Sequence, residues 1–95
     1  MNEERRRDRM TELAKSFPCL RDATGVSPWE PTELDRWAVS GVSHGERAAA
    51  SFVLAVWDSS TEWGCGRFEL MEALNVWPES HREPFLAWAK EPWWP

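Results

Sequence analysis

Ser43-His44-Gly45-Glu46-Arg47-Ala48-Ala49-Ala50-Ser51-Phe52-Val53-Leu54-Ala55-Val56-Trp57 is the stretch that decides the fold. Its opening fits a capping box, in which the Ser43 hydroxyl accepts from the backbone N–H of Glu46 and the Glu46 carboxylate reaches back. From Ala48 to Trp57 hardly any polar face is left. A helix apolar nearly all round belongs in the middle of a bundle, and its alanines let neighbouring helices approach closely. A central helix is therefore predicted to run to about Asp58. The apolar run is half the roughly twenty residues that a membrane helix needs, so no membrane partner is expected.

On the N-terminal side, residues 3–17 predict a first helix. Met10, Leu13, Ala14 and Phe17 fall at i, i+3, i+4 and i+7, and Pro18 ends the pattern. Its first turns are almost wholly charged. Glu3 can pair with Arg7, but Arg5 opposes Arg9 and Asp8 opposes Glu12, so this end is expected to fray. Residues 18–30 hold Pro18, Gly25 and Pro28 and read as an irregular connection. Pro31 then opens a short second helix to about Val39, with Leu34, Trp37 and Ala38 on one face. On the C-terminal side, Ser59 to Gly66 reads as a loop. A fourth helix from Phe68 carries Leu70, Met71 and Leu74 to about Val76. Ser80-His81-Arg82-Glu83 matches a second capping box, and the fifth helix it opens carries Phe85, Leu86, Trp88 and Ala89 to Pro92. The pattern predicts an all-α, compact orthogonal bundle of about five short helices. Residues 1–25 form a charged N-terminal helix and linker, and residues 26–95 a single helical domain with a Trp-rich tail.

The chain has 95 residues, a formal net charge of −5, eight Trp, four Phe and no Tyr. That length suits one small domain, and a hydrophobic content of 42% opposes wholesale disorder. The charge opposes general nucleic-acid binding. Residues 16–95 hold twelve acidic and six basic side chains. The Arg5-Arg6-Arg7-Asp8-Arg9 run is diluted by Glu3, Glu4 and Asp8, so its field is weak. No apolar stretch follows the charged start, which reads as a cytoplasmic protein without a secretory signal.

The runs Ser43-His44-Gly45-Glu46-Arg47-Ala48-Ala49, Phe52-Val53-Leu54-Ala55-Val56-Trp57 and His81-Arg82, with the tail Phe85-Leu86-Ala87-Trp88-Ala89 and Pro92-Trp93-Trp94-Pro95, resemble a family of small uncharacterised, Trp-rich bacterial proteins, some of them plasmid-borne. The resemblance covers about residues 40–95. It implies that this unit is the domain and that residues 1–25 are a variable addition, and it carries no activity with it.

Three constellations could hold chemistry. Cys65, between Gly64 and Gly66, is sterically open, and His44 or His81 could activate its thiolate. Cys19, His44, Cys65 and His81 would make a set suited to zinc. Their intervals of 25, 21 and 16 lack the close pairing of structural zinc sites, so no metal and no cofactor is expected. Glu69 and Glu72 lie together on the fourth helix, where a solvated acidic face is the simplest reading. Trp37, Trp57, Trp77 and Trp88 sit on or beside apolar stripes and read as core. Trp29, Trp63, Trp93 and Trp94 sit in loops or at the end. Of the two roles open to Trp93 and Trp94, folding back to plug the bundle is favoured over serving as an exposed contact anchor.

The expected function is a non-enzymatic protein–protein interaction module, regulatory or inhibitory, acting through an acidic, Trp-bearing surface formed by Trp63, Trp93, Trp94, Glu69 and Glu72. Modulating a host defence or regulatory complex is its natural specialisation if the gene is mobile. A small thiol-dependent enzyme or zinc protein centred on Cys65 is one alternative. A purely structural subunit of a homo-oligomer is the other.

Overall fold

The computed structural model describes residues 3–95, so Met1 and Asn2 of the N-terminal segment lie outside the described residues. Five helices follow one another: α1 (Glu3–Lys15), α2 (Pro31–Ala38), α3 (His44–Trp57), α4 (Leu70–Val76) and α5 (Glu79–Lys90). A 3-10 turn, Pro18–Leu20, follows α1. There is no strand among the described residues. α3 is the centre, packing against α1, α2, α4 and the 3-10 turn. The radius of gyration, 12.1 Å, is that of a close-packed chain of this length.

The capping box of α3 is formed in full. Glu46 N–H donates to Ser43 Oγ at 3.2 Å, and Ser43 N–H donates to Glu46 Oε1 at 2.8 Å. Ala49, Ala50, Ser51, Phe52, Val53, Leu54 and Val56 are all buried. Ser51, the polar residue in this run, satisfies its hydroxyl internally by donating to the Ala48 carbonyl at 2.8 Å. Met10, Leu13, Ala14 and Phe17 of the first stripe are buried in the same core.

The charged first turns, where fraying is expected, are helical from Glu3. Glu3 pairs with both Arg6 and Arg7 at 3.0 Å. Arg6 and Arg7 lie over the Trp57 ring at 5.1 and 5.8 Å, and Arg9 lies 3.8 Å from the Trp93 centroid. Facing indoles give these guanidinium groups an attraction that offsets their mutual repulsion.

The connection between α1 and α2 is irregular but well anchored. Val26 and Trp29 are fully buried. Trp29, expected in a loop and not counted among the core tryptophans, lies in that loop and is core. Its carbonyl accepts from Arg7 at 2.6 Å, and Thr11 donates to the Val26 carbonyl at 2.6 Å. Gly25 turns the chain at φ +90°, and a Cβ there would meet Leu34 N at 2.4 Å. Only glycine fits both conditions.

Two further expectations are corrected. In α4 the expected stripe of Leu70, Met71 and Leu74 does not face the core: Met71 is 79% exposed, Leu70 is exposed, and Ala73 and the following Trp77 are buried instead. Trp77 supplies more apolar area than Met71, and its N–H reaches the Gly45 carbonyl at 3.0 Å, which sets the rotation of α4. In α5 the second capping box is absent. Pro78 is the N-cap, without a side-chain cap, and the Ser80 hydroxyl lies against His81 Nδ1 at 3.2 Å. Pro84 falls inside the helix. No residue of α5 is fully buried, and its Leu86 and Ala89 are exposed, while Phe85 and Trp88 are partly covered.

The two caps make a paired prediction. Ser43→Ala should lower unfolding free energy by about 1 kcal/mol, the usual worth of an N-cap. Ser80→Ala should stay within about 0.5 kcal/mol of wild type, as an ordinary surface change does. Urea denaturation of the two variants measures the contrast.

Candidate functional site

The loop between α3 and α4 has the sequence Asp58-Ser59-Ser60-Thr61-Glu62-Trp63-Gly64-Cys65-Gly66, and it is tied down at both ends. At its start, Asp58 Oδ1 accepts from Ser60 N and Ser60 Oγ at 3.0 and 2.6 Å, and Oδ2 accepts from Thr61 Oγ1 at 2.7 Å. These donors favour the ionised carboxyl and hold it below the usual aspartate range. The Asp58 carbonyl accepts from Trp63 Nε1 at 3.0 Å. At the loop's end, Asp35 of α2 accepts from the backbone N–H of Gly64 and Cys65 at 2.8 and 2.9 Å. Arg47 of α3 donates to the Cys65 carbonyl at 3.1 Å.

Two adjoining clefts open beside this loop. The larger, about 660 Å³, has Trp63 and Phe68 as its aromatic lining, with Ser59, Ser60, Thr61 and Glu62 around it. The smaller, about 70 Å³, is lined by His44, Arg47, Cys65, Glu69 and Glu72. Ser51 and Arg67 belong to both. His44 Nε2 stands 4.0 Å from Glu72 Oε1.

Three residues expected at a binding surface, Trp63, Glu69 and Glu72, are thereby brought around Arg67. Trp93 and Trp94 line neither cleft. They fold against Trp88, whose Nε1 donates to the Trp93 carbonyl at 2.9 Å and whose ring meets Trp94 edge-on at 5.5 Å. Trp93 is partly covered, whereas Trp94 stays 63% exposed. Arg67 and Phe68 were missed by sequence reasoning. The Asp58-Ser59-Ser60-Thr61 run carried a usable signal, because an aspartate two and three residues before hydroxyl donors is a turn-forming pattern.

Both cysteines are free thiols, Cys65 buried and Cys19 partly so. Burial pushes the Cys65 thiol up to about 12, with the Asp35 carboxylate adding to it and Arg47 partly opposing. Burial, with a contribution from Glu46, raises Cys19 to about 11. Reactive cysteines show the opposite direction. Burial lowers the His81 pKa, which Glu46 partly counters, and its ring faces Phe17 at 6.4 Å. Among the described residues no group of three or more His, Cys, Asp or Glu is placed to hold a metal ion. No helix among them is long and apolar enough to cross a membrane. No protein-family model, curated protein or solved structure matches the chain.

Two predictions come from this geometry. Iodoacetamide modification of the folded protein should keep accelerating above pH 9, because both thiols ionise above the ordinary thiol range; an inflection near 8.5 would contradict their burial. Since thiols with raised pKa values favour the fold only while protonated, stability should also decline as pH rises beyond the unfolded thiol value. Asp35→Ala should cost about 2 kcal/mol, because two loop N–H groups lose a charged acceptor, and should speed amide exchange at Gly64 and Cys65.

Proposed function

We propose that the chain is a non-enzymatic protein-interaction module of regulatory or inhibitory type, working in the cytoplasm. Its partner-facing surface is the pair of clefts around Arg67. The observation that carries this reading is the tethered loop 58–66, which holds Trp63 and Phe68 along one open cleft of about 660 Å³. Tethers from α2 and α3 fix the loop before any partner arrives, so little ordering entropy opposes binding. Tryptophan and arginine are the side chains from which interface hot spots are most often made. Glu69 and Glu72, at the edge of the smaller cleft, give that end an acidic rim suited to basic groups on a partner. The resemblance of residues 40–95 to a partly plasmid-borne bacterial family supports a narrower version, in which the partner is a host defence or regulatory complex. An enzymatic role for Cys65 has a thiol with a raised pKa against it.

A photo-crosslinking amino acid placed at Glu62, beside Trp63, tests the reading. In native cells it should yield a discrete adduct with one host protein, and Trp63→Ala should remove it. The same group at Arg36, an exposed position on α2, should yield none. Equal labelling from both positions would defeat the proposal.

A further inference from the structure

The larger cleft has a definite list of unused groups. Trp63 Nε1 is spent on the Asp58 carbonyl, Ser60 and Thr61 donate to the Asp58 carboxylate, and Ser51 donates to Ala48. What remains for an occupant is one carboxylate at Glu62, one guanidinium at Arg67, the Ser59 hydroxyl and two aromatic rings at Trp63 and Phe68. Among the described residues neither Glu62 nor Arg67 has a side-chain partner. The complementary occupant therefore carries one cation, one anion and a flat apolar group within a short span.

This chain contains such a segment. Lys90-Glu91-Pro92-Trp93-Trp94 supplies a cation, an anion and an indole within five residues. Lys90 and Glu91 are exposed, and among the described residues their side chains have no partner. Trp94 is the most exposed aromatic side chain, at 63%. The segment is also fixed: Trp93 is pinned between Arg9 and the Trp88 N–H, and Pro92 restricts the chain before it. An indole held out from a fixed tail has little entropy left to lose on docking.

We propose that the tail of one copy docks in the larger cleft of a second copy. Trp94 lies against Trp63 and Phe68, Glu91 meets Arg67 and Lys90 meets Glu62. Each copy carries both halves of the contact, so two reciprocal insertions close a symmetric pair. The net charge of −5 on each copy opposes their approach, which makes the association a weak one in low salt. The inference rests on the reading of the cleft as a peptide-binding surface, with this chain's own tail as the peptide.

Sedimentation equilibrium of the full chain from micromolar to millimolar concentration, in physiological salt, provides the test. The wild type should populate a dimer at the upper end. Trp94→Ala should weaken association about thirtyfold or more, as loss of a hot-spot indole does. Arg67→Glu and Glu91→Arg should each weaken it several-fold, and an equal mixture of these two variants should associate better than either alone, because both insertions of the mixed pair are charge-matched. All three side chains are exposed, so unchanged helical circular dichroism should accompany each substitution. A wild type that stays monomeric throughout, a Trp94→Ala dimer as strong as wild type, or a mixture no better than its components would each overturn the proposal. Failure here with a host-protein adduct still formed at Glu62 would leave the interaction-module reading standing. A Glu62 adduct consisting only of a second copy would instead support tail docking and defeat the host-partner reading.

Discussion

Phe52 is the side chain on which the rest of the structure depends. It is buried in the middle of α3 and meets Phe17 at 5.8 Å and Phe68, Phe85 and Trp88 each at 5.2 Å. Through these four rings it touches the segment just after α1, the approach to α4 and two residues of α5. The dependence is physical, because neither C-terminal helix could persist alone. α4 has seven residues and α5 has twelve with none fully buried, both below the length at which isolated helices become stable in water. Each ring pair adds about 0.5–1.5 kcal/mol beyond the area it covers, and all four share one residue. Phe68 and Trp77, stacked at 5.8 Å, extend the ring cluster to the far end of α4.

Beyond that apolar hub, long-range polar contacts follow one rule: side chains reach for irregular backbone. Arg7 donates to the Trp29 carbonyl, Thr11 to Val26 and Arg47 to Cys65, while Asp35 accepts from Gly64 and Cys65. Ion pairs between side chains are by contrast mostly local, such as Glu3 with Arg7 and Glu33 with Arg36. A bundle of short helices has much connecting backbone, and covered backbone groups must find partners. Contacts made for that reason also stiffen the loops. The clefts around Arg67 owe their fixed walls to it.

This division explains what could be read from the chain. The all-α class, the central helix and its cap are local properties, written in residues three or four apart. The fold of residues 3–15 and 31–38 was likewise carried by one clear stripe each. α4 defeated the same logic because two turns of helix give a stripe no statistical weight, so Met71 and Trp77 competed for the core and the larger ring won. At Ser80 the capping motif was present in letters only, since Pro78 two residues earlier already serves as an extended N-cap. Within the candidate site, Trp63, Glu69 and Glu72 were visible as types. Their convergence on Arg67 depends on Asp35, about thirty residues from the loop it holds, and periodicity carries no such distance.

Five of the eight tryptophans then become intelligible from two related tasks. Trp63, Trp77 and Trp88 each donate their N–H to a carbonyl at a helix terminus or in an irregular segment, at Asp58, Gly45 and Trp93. An indole combines a large apolar body with a single donor and no acceptor, which suits a small core bordered by carbonyls able to accept a further bond. A tyrosine would bring an additional acceptor to such positions, and a leucine would offer the carbonyl no donor. Trp57 and Trp93 do a related task by offering ring faces to the arginines of α1. Trp29 supplies bulk, with its edge packed on Trp57. Trp94 fits none of these uses. Its ring meets Trp88 edge-on and most of it faces outward, so it adds less to the fold than the covered indoles do. That exposure is the observation from which the proposed docking of this segment on a second copy starts.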